Sequence, residues 1–285
     1  MESVFDVRCQ HGESPVWDAG GGCLYWVDLL KGFLHKGNIQ TGEVKSYDAG
    51  CSVGVLAVRQ SGGLIMATGK GIGFWSETES KLQILHPLQN ADRTRFNDGA
   101  VDAQGRFFAG TMAHRGDSPL GVLYRVDKNL RLRKMEESLL IPNGMGWSED
   151  NQTFYLTDTN KHVIYSYDYD MATGDISNRI PFIEFGKDEF PDGMCMDRQG
   201  SFWVAMWGGG KINKFGKNGQ KQEEFILPVK YPTSCCFGGS EMKTLFIATS
   251  SLPLSEEEKE SNPWAGKVLK LDTPRVGKKQ FLFLY

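Results

Sequence analysis

The 285 residues are 40% hydrophobic and 24% charged, the balance of an ordinary folded protein, long enough for one large domain or two small ones. Lys and Arg total 32 against 35 Asp and Glu, a net charge of -3 with the signs well mixed, so there is no basic face for a nucleic-acid backbone or an anionic membrane. The opening MESVFDVRCQHGESP has no basic n-region and no apolar h-region, and no run of about 18 apolar residues occurs; a cytosolic protein is expected.

The elements repeat along the chain. Short apolar strands begin at Leu24 (LYWVD), Leu64 (LIMAT), Phe107 (FFAGT), Phe154 (FYLTD), Phe202 (FWVAM) and Leu245 (LFIAT), with successive starts 40, 43, 47, 48 and 43 residues apart. Each follows a polar turn, and each is aromatic or β-branched and bounded by Gly, Asp or Asn, which argues against a helical solenoid. A second, alternating strand comes after it in the unit, as in GVLYRVD (121–127), HVIYSYDYD (162–170) and GKINKF (210–215). Turn signals at 41–42, 173–174 and 218–219 separate further strand-like pieces. Four short strands per unit and six units predict an all-β fold, a six-bladed β-propeller of four antiparallel strands per blade, filling residues 1–285 as one domain. SEEEKES near 255–261 has the length for one helical turn, and a solvated loop is the first expectation.

An apolar residue stands before the turn in every unit: Trp17, Val58, Val101, Trp147, Met196 and Phe237. Four positions earlier stand Glu13, Gly54, Asn97, Asn143, Asp192 and Thr233. Taken singly, Asn-Asp-Gly or Pro-Asp-Gly is a turn. In a propeller, equivalent positions surround the axis, so these six should ring one mouth of the channel. Glu13, Asn97, Asn143 and Asp192 bring carboxylate and amide oxygens there, and two carboxylates so placed raise one another's pKa unless a cation lies between them. Oxygen donors favour Ca2+, Mg2+ or Mn2+.

Other motifs are weaker. The cysteines at 9, 23, 51, 195, 235 and 236 form no CxxC pair and no zinc spacing with His, and buried reduced thiols are expected. No G-x-S-x-G elbow and no H-x-x-x-H pair occurs among the His residues at 11, 35, 86, 114 and 162. GKGIGF (69–74) opens no helix, and WGGGK lacks the phosphate-loop spacing. DYDMATGD (168–175) is similar to a calcium loop, but Ala172 fills a ligand position and the terminal Glu is missing, so a hairpin turn is expected.

GESPVWD (12–18), RFNDG (95–99), FAGTM (108–112), PNGMGWS (142–148), YDYDMATGDISNR (167–179), PDGMCMD (191–197) and TSCCFGG (233–239) closely resemble, in order and across all six units, the regucalcin/gluconolactonase family. The resemblance implies a six-bladed propeller that binds one divalent metal and hydrolyses sugar lactones. It implies metal ligation by Glu13, Asn143 and Asp192, three residues that the repeat also selects, and substrate contacts by Arg95 and Asn97. Where relatives of regucalcin carry a substrate-contacting Glu four residues before a G-x-L-Y strand, this chain has Asp117, a shorter carboxylate. Asp192 is the expected general base, with Glu13 and Asp117 meeting sugar hydroxyls. Ca2+ is the first expectation for the metal, with Zn2+, Mn2+, Mg2+ and Fe2+ open. The partner is a small sugar lactone, with no nucleic acid and no membrane, and the chain is expected to be a monomer or weak oligomer. Two alternatives remain: hydrolysis of phosphotriesters or other esters on the same metal, and a calcium-binding propeller without catalysis.

Overall fold

A computed structural model describes all of residues 1–285. It contains six four-stranded antiparallel sheets. Five are built from consecutive strands, spanning residues 12–48, 53–87, 94–139, 142–184 and 190–226 as blades 1 to 5. Blade 6 takes three strands from residues 232–272 and its outermost strand, Glu2–Ser3, from the other end of the chain, which pairs antiparallel with Leu269–Asp272. That pairing closes the ring and leaves no sheet open between the first blade and the last.

The burial pattern explains why the second strand of each blade is the clearest in the sequence. Cys23–Asp28, Leu64–Thr68 and Phe107–Ala113 are buried at every position, being covered by neighbouring blades on both faces, so they read as continuous apolar runs. The outermost strands face water: Lys221–Ile226 is exposed at all but one residue. Between blades the core is aromatic. Phe108 meets Trp147 at 5.2 Å, Tyr155 meets Phe202 at 4.7 Å, Trp203 meets Phe237 at 5.3 Å, and Trp17 meets Phe246 at 5.8 Å. Each pair joins consecutive blades, in stacked or edge-to-face arrangements that favour contact between rings.

The innermost strands, Gly12–Asp18, Val53–Val58, Thr94–Val101, Pro142–Trp147, Phe190–Met196 and Pro232–Gly238, neighbour one another around the axis. The channel they enclose is sealed at one end by the C-terminal segment. Gly277 and Lys278 donate their backbone N–H groups to Met242 and Met196, and the Lys278 ammonium donates to the carbonyls of Trp147 and Ser148. Gln280 Oε1 accepts from Trp17 N at 2.9 Å, Phe283 N donates to Val58 O, and Leu284 N donates to Gly105 O. All six blades are thereby tied to one segment, with the Phe283 ring fully buried.

Two smaller expectations meet different outcomes. Residues 255–261 are not a loop: Glu256–Ser261 is a helix, capped by reciprocal bonds between Ser255 and Glu258, with every residue's side chain outside the core. The S-x-x-E capping box supplies the partners that so short a helix needs at its first turn. The 168–175 segment is the expected hairpin turn. Its Met171 and Ala172 carbonyls accept from the guanidinium of Arg106, itself paired with Asp102 at 2.5 Å, so a protein cation already occupies them. All six cysteines are free, and Cys195 and Cys235 lie sulfur to sulfur at 3.6 Å without a bond.

Candidate functional site

Each innermost strand carries a β-bulge at the same level. The pairing register slips between Glu13 and Val16, Val53 and Val55, Phe96 and Gly99, Pro142 and Met145, Pro191 and Met194, and Pro232 and Ser234. A bulge leaves residues without a ladder partner and re-aims their side chains. Five of the six repeat positions fall inside the slip, and the sixth, Glu13, borders it beside Ser14, whose φ is 47°. The Asn-Gly and Asp-Gly pairs therefore lie within strands, not in turns. Gly144 and Gly193 are there for space: a Cβ on Gly144 would stand 2.5 Å from Met194 N, and one on Gly193 would stand 2.8 Å from Ser234 Cα.

At the end of the channel away from the C-terminal segment, a cavity of ≈ 270 Å3 is lined by Glu13, Arg95, Asn97, Asn143 and Asp192, together with His11, Met112, Ile141, Thr159, Asn160, Phe190 and Trp207. Five of the six expected site residues are thus brought together from blades 1, 3, 4 and 5. The other two repeat positions add nothing to it, since Gly54 has no side chain and Thr233 donates its hydroxyl to Gly12 O at 2.6 Å. Asp117 is exposed on the 114–120 loop and outside the cavity wall. That loop adjoins the mouth, where Asn160 Nδ2 donates to Gly116 O at 2.8 Å.

The polar wall is tightly organised. Arg95 Nη1 donates to Asn97 Oδ1 at 2.8 Å and to Phe96 O at 3.1 Å, and Asn97 Nδ2 donates to Pro142 O at 3.1 Å. Asn143 Nδ2 donates to Asp192 Oδ1 and, at 3.1 Å, to Thr159 Oγ1. Asn143 Oδ1 is buried and has no partner. Glu13 and Asp192 are buried, and burial pushes both carboxyls well above their ordinary range; Asp192 and Asp98 push Glu13 further, and Asp98 pushes Asp192. Arg95 is the cation that faces them, and its own burial brings it down to about 10. His11 is lowered to about 3 by burial and by Arg95, so it is neutral near pH 7.

Asp98 is a third carboxylate that the repeat count did not select. It accepts from Gly99 N at 2.7 Å and is raised by burial to about 6. It lines the inner channel with Ser14, Cys195, Ser234 and Cys235, above Lys278 and Gln280 of the C-terminal segment. Strict alternation would turn the residue after Asn97 away from the axis; the bulge overrides it. Counting back three from Val101 instead of four would have reached it.

This donor set fits a hard divalent cation. No three His, Cys, Asp or Glu side chains come together in a way that could hold a metal ion, so two carboxylates need an amide oxygen as third donor, and Asn143 Oδ1 is buried and unpartnered beside one of them. Oxygen-only ligation of this kind suits Ca2+, Mg2+ or Mn2+.

Residues 11–251 match the profile of the SMP-30/gluconolactonase/LRE-like region. The chain belongs to that family. Among curated family relatives, regucalcin of Danio rerio is 32% identical over 275 residues, 95% of this chain and 93% of that one. YvrE of Bacillus subtilis (strain 168), whose name gives it as a predicted sugar lactone lactonase, is 34% identical over 271 residues, 93% of each chain. Among solved structures, a calcium-binding regucalcin from Agrobacterium tumefaciens superimposes with a TM-score of 0.94 at 23% identity, covering 99% of this chain and 97% of that one; at that identity the likeness speaks for the propeller. Membership of the family supports a lactonase-like hydrolase.

Proposed function

We propose that the protein is a metal-dependent hydrolase of sugar (aldono) lactones, releasing the corresponding aldonic acids. The observation that carries this reading is the convergence of buried Glu13 and Asp192 with the unpartnered Asn143 Oδ1 in a cavity that also holds Arg95 and Asn97. A binding-only scaffold would need the first three and not the last two. Glu13, Asn143 and Asp192 would hold the cation, with Ca2+ the first candidate. When bound, such an ion polarises a carbonyl and acidifies a neighbouring water.

The chain's own groups account for the rest. Asp192, a carboxylate beside the cation position, is placed to accept the proton of the attacking water as the water oxygen bonds to the lactone carbonyl carbon. The same proton then passes to the ring oxygen as the ester bond breaks, giving a carboxylic acid and a free hydroxyl. Asn97 fixes Arg95 at 2.8 Å, which leaves the remaining planar N–H donors for the developing oxyanion and for substrate hydroxyls. Glu13 and, at the outer end of the substrate, Asp117 accept from further hydroxyls. A cytosolic setting goes with this reading; no helix is long and apolar enough to cross a membrane.

The test strips divalent ions with a chelator and follows acid release from a panel of aldonolactones while Ca2+, Mg2+, Mn2+, Zn2+ and Fe2+ are restored singly. Turnover that returns with at least one ion is expected. Silence with every ion, or faster turnover of an aryl ester or a phosphotriester than of any lactone, overturns the reading.

A further inference from the structure

The cavity has two unlike walls, and the function proposed above uses only one. Phe190 and Trp207 are a directly facing cross-strand pair at the mouth end of blade 5's first hairpin, on the same hairpin as Asp192 and across from no charged partner of their own. Trp207 differs from Trp26, Trp75 and Trp203, which are almost completely buried in the core, because its ring is partly exposed and faces the cavity. It is held by neighbouring rings. Tyr231 packs on it at 5.0 Å, and His11, anchored through Nδ1 to Ser250 Oγ at 3.0 Å, meets it edge-on at 5.5 Å. Phe190 is similarly backed by His162 at 4.9 Å, whose Nδ1 bonds Glu189 O at 2.8 Å. Rings braced in this way lose little freedom when a ligand arrives.

We infer that Trp207, supported by Phe190, is a stacking platform for the C–H face of a single sugar ring whose carbonyl and hydroxyls are turned toward Arg95, Asn97 and Asp192. This deepens the lactonase reading and rests on it. A sugar lactone is itself two-sided, with hydroxyls around its edge and apolar C–H groups on its faces, and an aromatic surface recognises the second while fixed donors recognise the first. The cavity of ≈ 270 Å3 lies just below the range of about 300–1,000 Å3 typical of drug-sized ligands, a size that suits a single sugar ring. Stacking acts equally on bound lactone and on transition state, so it sets KM and leaves kcat nearly alone.

Trp207→Leu keeps an apolar side chain and removes the π face; Trp207→Phe restores a face. With the cation-loaded enzyme, the Leu variant is expected to raise KM for aldono-1,5-lactones about tenfold with kcat within about twofold, unchanged cation affinity, and recovery of most of the loss in the Phe variant. A parallel measurement needs no turnover: saturation-transfer NMR on the wild-type protein and the Leu variant with 1,5-anhydroglucitol, a cyclic ether that cannot be hydrolysed, should carry magnetisation from aromatic protons to the ring C–H protons in the wild type. An unchanged KM in the Leu variant of an active lactonase sinks the platform and spares the lactonase reading. Aromatic transfer to the anhydro sugar, lost in the Leu variant of a protein that opens no lactone, does the reverse. Absence of aromatic transfer overturns the platform outright.

Discussion

At the scale of single residues the site is an arrangement of buried like charges. Asp192→Ala removes one of two carboxylates and the acceptor of the Asn143 amide, so cation binding, followed by calorimetric titration, should be lost and lactone turnover should fall by at least about a hundredfold to ten-thousandfold. An Asp192→Ala protein that stays loaded and active would contradict its assigned role. Asp98 gives a prediction on stability. A carboxyl that titrates at about 6 in the folded protein, against an ordinary value of 3.8, holds its proton longer in the native state than in the unfolded chain. The native state therefore keeps its full advantage below pH 3.8, and the advantage drains away as pH rises through about 6. In chelator, wild type should lose stability relative to Asp98→Asn by up to roughly 3 kcal/mol over that window, read from urea transitions at a series of pH values. A difference that is flat from pH 4 to 7 would remove Asp98 from the electrostatics of the site. Glu13, Asn143 and Asp192 were legible in the sequence because they recur at one register of a repeat; Asp98 and Trp207 were not, the first hidden by a bulge and the second by its likeness to the tryptophans of the core.

At the scale of the strand, the bulge converts a repeat position into a site position. Pro142–Trp147 and Phe190–Met196 each place a ligand candidate and then a glycine within the slip, and the glycine lets the two strands close upon each other. A methyl group at Gly144 would meet backbone, Met194 N at 2.5 Å and Asp192 O at 2.9 Å, which no rotamer change can relieve. Gly144→Ala should therefore cost about 1–3 kcal/mol or more and weaken cation binding through displacement of Asn143, measured by chemical denaturation and titration of the same preparation. Full stability and affinity in that variant would mean that the strands have slack here. The sequence suggested a turn at such pairs because Asn-Gly and Asp-Gly most often make one. The decision in favour of a strand comes from neighbouring blades, which no local propensity encodes. At the helix Glu256–Ser261 the deciding contact is local instead, the reciprocal Ser255–Glu258 capping bonds within one turn of chain.

At the scale of the whole molecule, two devices hold six blades in a ring: the outer strand Glu2–Ser3 completing blade 6, and the C-terminal segment across the far end of the channel. Phe283 is fully buried among residues of blades 2 and 3, so Phe283→Ala should cost about 3–5 kcal/mol in urea denaturation, with the first-order chemistry of surviving folded enzyme little altered because the site lies at the other mouth. A loss below about 1 kcal/mol would mean that the segment is only draped over the surface. The sequence by itself determined the number of blades, four strands in each and three residues that line one cavity, because a repeated pattern of burial writes the same letters at each turn of the ring. Only the tertiary structure decided that bulges point consecutive residues into one channel, that a third carboxylate stands beneath the first two, that an aromatic pair borders the cavity beside Asp192, and that the chain's last residues seal the opposite end. Those features arise from contacts between blades far apart in sequence, where each partner alone looks like ordinary strand or loop.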